Sequence, residues 1–227
     1  MISPVKLEVL CDFDGTITNE DIGFKIIETF AGSGWEEVEN AYQRGEKGSR
    51  EALIEIFALT RVSAETLTRF VETSFHVDPA FPDFVSLCRK AGIAVTVLSD
   101  GFDFYIDLMF RKFKLDLPYL SNSLRVVDCS LRAEFPYSSR HCGACGNCKM
   151  DYASKVKASG SQIVYIGDGH SDKCVSRFAD VLFAKGVLAE HCRQEGTPYL
   201  PFECFNDIFS ICRDGLFNKL TSGRKAD

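Results

Sequence analysis

Three apolar runs organise this chain, and each stops at a cluster of polar, chemistry-bearing residues. Residues 7–10 run into Asp12 and Asp14. Residues 93–98 run into Ser99-Asp100-Gly101, and residues 162–166 into Gly167-Asp168-Gly169. Short apolar runs bounded by turn residues predict strands buried in a parallel sheet. Between them the pattern is helical. Ile22, Ile26, Ile27 and Phe30 share one helical face, and so do Leu53, Ile54, Phe57 and Ala58. Gly32-Ser33-Gly34 and Gly45 to Gly48 break the pattern, and Ser63 with Glu65 and Thr66 opens a further helix. Residues 19–75 therefore predict four short helices with no strand among them. Further helices are predicted over 79–91, 102–113, 148–158, 171–178 and 203–213. Two or three short strands are predicted over 119–135, an irregular loop over 138–147, and a short strand over 181–183. Strands alternating with helices imply an α/β fold, a parallel sheet with helices on both faces. The expected organisation is a discontinuous core over 1–19 and 77–216, a helical cap over 20–76, and a flexible tail over 217–227.

Composition narrows the function. The chain has 227 residues, 45% of them hydrophobic, enough for one large domain or a core with an insert. Its net charge is −6 with no long basic run, which argues against a nucleic-acid surface. An anionic substrate must then be met locally, by a metal and a few cations. No stretch approaches the ~18 apolar residues of a membrane span. The opening M-I-S-P-V-K has no long apolar segment, so the expectation is a cytoplasmic protein without a secretory leader. The ten cysteines are then read mostly as buried free thiols, with Cys88, Cys174 and Cys212 in apolar helical patterns.

The chemistry concentrates at the ends of the apolar runs. Asp12 and Asp14 lie two residues apart, so both project the same way from an extended chain. Two acids so close repel unless a cation joins them, and oxygen-ligated Mg²⁺ suits such a site. One carboxylate could attack phosphorus while the other handles protons. Alone, D-x-D-G also fits a plain acidic turn. Ser99 with the N–H groups after it fits phosphate oxygens. Lys149 opens a predicted helix, where a cation opposes the helix dipole; Lys155 and Lys157 are its rivals. Asp168 and Asp172 form a second acid pair. His170, between them, reads as a surface histidine.

The string D-F-D-G-T-I-T, with Ser99-Asp100-Gly101, Lys149 and Asp168–Asp172 following in order, resembles the four motifs of the haloacid dehalogenase-like phosphohydrolases. The resemblance implies a Rossmann-like doubly wound sheet with a helical cap inserted between the first two motifs. It also implies a phosphatase with Asp12 and Asp14 as catalytic acids. Ser99, Asp100, Gly101 and Lys149 would hold phosphate, and Asp12, Asp14, Asp168 and Asp172 would hold Mg²⁺. The cap position resembles the phosphoserine phosphatase-like branch. Trp35, the cysteine-rich loop before Lys149, and the segments 183–195 and 199–202 resemble phosphatases of methionine salvage that act on 2-hydroxy-3-keto-5-methylthiopentenyl-1-phosphate. Motif II departs from that group, which has S-G-G where this chain has S-D-G. Phosphoserine phosphatases and phosphocholine or phosphoethanolamine phosphatases are the alternatives. A phosphoserine site would use Asp21 and Arg50 as an ionic clamp, though Asp21 also fits a helix N-cap and Arg50 a solvated position. Cys142, Cys145 and Cys148 stand at C-x2-C-x2-C spacing. They are candidate Zn²⁺ ligands, although the fourth position of a cluster motif is Tyr152. A structural loop is the other reading. A catalytically dead metal- or redox-sensing relative would use those cysteines and tolerate loss of the acids. The expected partner is a small phosphorylated metabolite, with no nucleic acid or membrane, and the expected state is a monomer or homodimer.

Overall fold

The computed structural model describes residues 6–139 and 143–221. Seven strands form a sheet in the order β4-β3-β2-β1-β5-β6-β7. The strands are β1 (Leu7–Cys11), β2 (Ala94–Phe102), β3 (Tyr119–Val127), β4 (Ser130–Glu134), β5 (Gln162–Gly167), β6 (Val181–Ala184) and β7 (Leu200–Pro201). The helices are α1 (Ile22–Phe30), α2 (Trp35–Gln43), α3 (Ser49–Leu59), α4 (Ala64–Ser74), α5 (Phe81–Lys90), α6 (Asp103–Phe113), α7 (Lys149–Ala158), α8 (Gly186–Glu195), α9 (Phe205–Ile211) and α10 (Phe217–Thr221). Among the described residues no helix is long and apolar enough to cross a membrane.

Residue contacts divide the chain into two compact units. One takes Met1–Asp12, Asp78–Val97 and Lys149–Asp227; the other takes Phe13–Val77 and Leu98–Cys148. In the first, β1 pairs in parallel with the start of β2, Cys11 opposite Val97, and with β5, Cys11 opposite Ile166. β5 continues in parallel to β6, and β6 to β7. Every residue of β1 is buried, as a central parallel strand requires. Helices α5 and α9 meet through Phe81, Phe84 and Phe205, with Phe205 4.8 Å from Phe81 and 5.5 Å from Phe84 between ring centroids.

The second unit holds the four helices expected over 20–76 together with the end of β2, α6 and the antiparallel hairpin β3–β4. Sequence-local signals set those helices. The Asp21 carboxylate accepts from the Phe24 N–H at 2.8 Å, and the Ser63 hydroxyl accepts from Thr66 N–H at 3.1 Å. Ile22, Ile26 and Ile27 are the buried face of α1.

Several expectations shift. β2 runs on through Ser99-Asp100-Gly101 to Phe102, where a turn is expected. The helix expected over 171–178 is two short 3₁₀ turns, His170–Asp172 and Val175–Phe178, and Cys174 between them is exposed. Helix α8 and strand β7 have no counterpart in the sequence reading. The expected tail from 217 begins with α10, which buries Phe217 and Leu220, two apolar residues that need cover. Cys11, Cys88, Cys129, Cys174, Cys192, Cys204 and Cys212 are free thiols. Cys11, Cys88, Cys148, Cys192 and Cys212 are buried, while Cys129, Cys174 and Cys204 are exposed.

Candidate active site

In the first unit, neighbouring parallel strands end together, and acids follow both ends. Asp12 follows β1 and donates its N–H to the Ile166 carbonyl at 2.9 Å, while Asp168 follows β5. Ligands bind at such carboxyl ends in α/β sheets. Carboxylate oxygens of Asp12, Asp168 and Asp172 lie within 4.8 Å of one another. Lys149, the first residue of α7, reaches Asp12 Oδ1 and Asp172 Oδ1, each at 2.6 Å. It is buried, as are Asp12 and Asp172. Lys155 and Lys157 lie elsewhere on the helix, and Lys157 pairs with Asp180.

Asp172 is fully committed. Its Oδ1 also accepts the Tyr165 hydroxyl at 2.5 Å, and its Oδ2 accepts the N–H groups of Asp168 and Gly169 at 3.0 Å. A side chain at Gly167 would strike the same carboxylate, with a Cβ 2.5 Å from Asp172 Oδ2. Asp172 therefore orders its neighbours: it fixes the Lys149 ammonium and the turn that carries Asp168. Burial, then the Asp172 charge, pushes the Asp12 carboxyl well above the usual carboxylate range, with Lys149 opposing. Burial works against the Lys149 charge, but Asp12 and Asp172 outweigh it and raise its pKa. Three acid side chains share one ammonium. This all-oxygen set of acid donors fits a hard divalent cation.

The second unit carries the other motif residues. Asp14 Oδ1 accepts the Ile22 N–H at 3.0 Å, at the start of α1. Its Oδ2 accepts the Tyr105 hydroxyl at 2.8 Å and the Ser99 hydroxyl at 3.3 Å. Burial, then the Asp21 carboxylate, raises the Asp14 pKa to about 8, and the bonds from Tyr105, Ile22 and Gly23 oppose the rise. Ser99 is fully buried, and its hydroxyl accepts the Gly101 N–H at 2.9 Å. Gly101 must be glycine: a Cβ there would lie 1.8 Å from the Tyr105 hydroxyl and 2.3 Å from Asp14 Oδ2.

The Asp100 side chain turns to the loop before Lys149. Its Oδ1 accepts the Asn147 N–H at 2.7 Å and Asn122 Nδ2 at 3.2 Å. This is what an aspartate does at the middle position of motif II. Asp21 caps α1. Trp35 packs edge-on against Phe24, 5.8 Å between centroids. Arg50 is exposed and lies over the Phe135 ring at 5.6 Å, so the structure gives it an aromatic partner. His170 is half-buried, with Nδ1 3.1 Å from Lys173 Nζ. Burial and that lysine lower its pKa.

Of the cysteine triplet, Cys142 lies outside the described residues. Cys145 is half-buried and Cys148 buried. Among the described residues only Asp12, Asp168 and Asp172 form a group of possible metal ligands.

Motif reading passes over Tyr105, Tyr165, Asn122 and Asn147. Tyr165 left one clue. A tyrosine inside an otherwise aliphatic buried strand needs a partner for its hydroxyl.

The model of the haloacid dehalogenase-like hydrolase family matches residues 9–177. A 2-hydroxy-3-keto-5-methylthiopentenyl-1-phosphate phosphatase of Exiguobacterium sp. (strain ATCC BAA-1283 / AT1b) is 29% identical over 207 residues, 90% of this chain and 96% of that protein. One from Bacillus thuringiensis subsp. konkukian (strain 97-27) is 29% identical over 208 residues, covering 90% and 94%. A solved phosphoserine phosphatase holding a phospho-aspartyl intermediate analogue superposes with a TM-score of 0.70 at 21% identity, over 91% of this chain and 99% of that one. That likeness is one of fold. With a matching model over most of its length and acids at the ends of β1 and β5, this chain belongs to the haloacid dehalogenase-like hydrolases.

Proposed function

We infer that the protein is a Mg²⁺-dependent phosphatase of a small phosphorylated metabolite. The observation that carries this reading is the cluster of buried Asp12, Lys149 and Asp172 with half-buried Asp168 at the carboxyl ends of β1 and β5. Mg²⁺ would be held by Asp12, Asp168 and the backbone carbonyl of Asp14, with Asp172 ordering that shell. When bound it supplies charge neutralisation and polarises phosphoryl oxygens. Asp12 attacks phosphorus through its carboxylate oxygen, the ester bond to the leaving oxygen breaks, and an aspartyl-phosphate forms on Asp12. Asp14, which keeps its proton up to about 8, protonates the leaving oxygen. As a carboxylate it then takes a proton from the water that releases phosphate. Ser99, the Gly101 N–H and Lys149 are the donors for phosphoryl oxygens.

The favoured substrate is 2-hydroxy-3-keto-5-methylthiopentenyl-1-phosphate, the compound in the names of relatives spanning nine-tenths of the chain. The Phe24–Trp35 pair is an apolar contact suited to a methylthio group. Phosphoserine instead requires a buried ionic clamp. The candidates for that clamp are occupied otherwise, Asp21 in capping α1 and Arg50 over Phe135.

The test is kcat/KM with Mg²⁺ across the enol phosphate, phosphoserine, phosphocholine, phosphoethanolamine and p-nitrophenyl phosphate. The enol phosphate is expected to lead. Phosphoserine far ahead of it overturns the substrate and leaves the chemistry intact. No phosphate released from any of them overturns the phosphatase reading.

A further inference from the structure

The loop before Lys149 makes more hydrogen bonds to the Ser99-Asp100 end of β2 than any role in chain connection requires. Asn147 is 2% exposed. Its side-chain Nδ2 donates to the Ser99 carbonyl at 2.9 Å and to the Leu120 carbonyl at 2.8 Å, and its backbone N–H donates to Asp100 Oδ1 at 2.7 Å. Asn122, fully buried on β3, completes the bracket by donating Nδ2 to the Asp100 carbonyl at 2.6 Å and to Oδ1 at 3.2 Å. Both amides face only acceptors through Nδ2, which fixes their orientation. The Ser99 carbonyl, the Asp100 carbonyl and Asp100 Oδ1 are thereby held.

The loop is itself clamped. A Cβ on Gly146 would lie 2.7 Å from both Asn122 Nδ2 and Asp100 Oδ1, so only glycine lets the backbone close on the pair. Gly146 N–H donates to the Ser49 hydroxyl at 3.1 Å, and Arg50 N–H donates to the Ala144 carbonyl at 3.2 Å. The loop is thus pinned to the start of α3 on one side and to the end of β2 on the other.

We propose that Asn147 is a positioning residue for phosphate handling: through the Ser99 carbonyl and the Asp100 carboxylate it sets where the Ser99 hydroxyl and the Gly101 N–H point. This rests on the phosphatase reading above. It gives Asp100 a purpose, since a glycine at that position has no carboxylate for the Asn147 N–H to hold. It also gives the cysteine-rich loop a task that needs no metal. Donors misplaced by about 1 Å cost about 10²-fold in rate.

Asn147→Asp keeps the side chain's size but replaces the donor group with an acceptor facing two carbonyl oxygens. Asn147→Ser keeps one donor. Wild type and both variants, as full-length protein, are compared for kcat and KM on p-nitrophenyl phosphate, for inhibition by inorganic phosphate, and for half-saturation by Mg²⁺. Thermal melts follow folding. The expected result is an Asn147→Asp kcat lower by about 10²-fold with weaker phosphate inhibition. Asn147→Ser should fall between the two, and Mg²⁺ half-saturation should stay at the wild-type value. A folded Asn147→Asp with wild-type kcat and phosphate inhibition overturns the proposal. If Asn147→Asp does not fold, Asn147→Ser decides on the same readouts. Loss of folding in both variants also overturns it, because Asn147 is then a folding residue. A wild type that neither hydrolyses p-nitrophenyl phosphate nor is protected by phosphate against heat overturns the phosphatase reading instead, and this inference with it.

Discussion

Asp12 and Asp14 stand two residues apart in different surroundings. Asp12 meets an ammonium, Lys149, while Asp14 meets a phenol, a hydroxyl and backbone N–H groups. The ammonium favours a carboxylate at Asp12, while at Asp14 burial and the Asp21 charge hold the proton against those donors. Asp12→Asn should abolish turnover in steady-state assays; near-wild-type activity, with deamidation excluded by mass, removes it as nucleophile. Lys149→Ala should lower kcat by about 10²–10³-fold, as loss of one preorganised donor does. A crippled Lys155→Ala beside an active Lys149→Ala would transfer the role. Tyr105 gives a signed pH test. Its hydroxyl donates to Asp14 and so favours the carboxylate, lowering a pKa that burial has raised. Without the hydroxyl the Asp14 proton is held to higher pH. The alkaline limb of kcat against pH should therefore move upward in Tyr105→Phe, and a downward or absent shift counts against Asp14 as the acid.

At the scale of elements, caps and shared carboxylates decide where helices begin. Asp78 is the clearest case. Its Oδ1 accepts the Ala80 N–H at 2.8 Å, just ahead of α5, and its Oδ2 accepts the Phe205 N–H at 2.8 Å at the start of α9. One side chain thus sets the relative start of two helices that pack through Phe81, Phe84 and Phe205. Asp78→Ala should cost about 1.5–3 kcal/mol for bonds to a charged group, read from urea unfolding. A change within about 0.5 kcal/mol, the range of ordinary surface substitutions, would show that packing alone holds the pair. Local signals made α1 and α4 legible, because Asp21 and Ser63 cap them from within the same segment. They failed for α8. Its start at Gly186 has a φ of +52°, and the Leu188 N–H there is met by the Asp168 carbonyl, a partner twenty residues back that periodicity does not register.

For the whole molecule, a cation that binds only the folded chain adds stability by mass action. Mg²⁺ at about a hundred times its dissociation constant should add about 2.7 kcal/mol. The melting temperature should rise accordingly in wild type, and chelation should remove both the rise and the activity. An Asp168→Ala variant that still gains the full shift would move the metal away from these acids. The sequence by itself determined the α/β class, the order of most strands and helices, and the four motifs with Asp12, Asp14, Ser99, Lys149, Asp168 and Asp172. Strand burial, helical spacing and capping are local, and each is written within about ten residues. Only the tertiary structure decided what those residues touch. It chose Lys149 over Lys155 and Lys157 by burying it against Asp12, 137 positions earlier. It also turned Asp100 toward the loop before Lys149, and brought Tyr105 to Asp14 across 91 positions. It ordered α10 where a tail was expected, because Phe217 and Leu220 find cover in the core. The reason is physical: a hydrogen bond or an ion pair depends on distance in space, and contacts between residues far apart in the chain leave no periodic trace in the sequence.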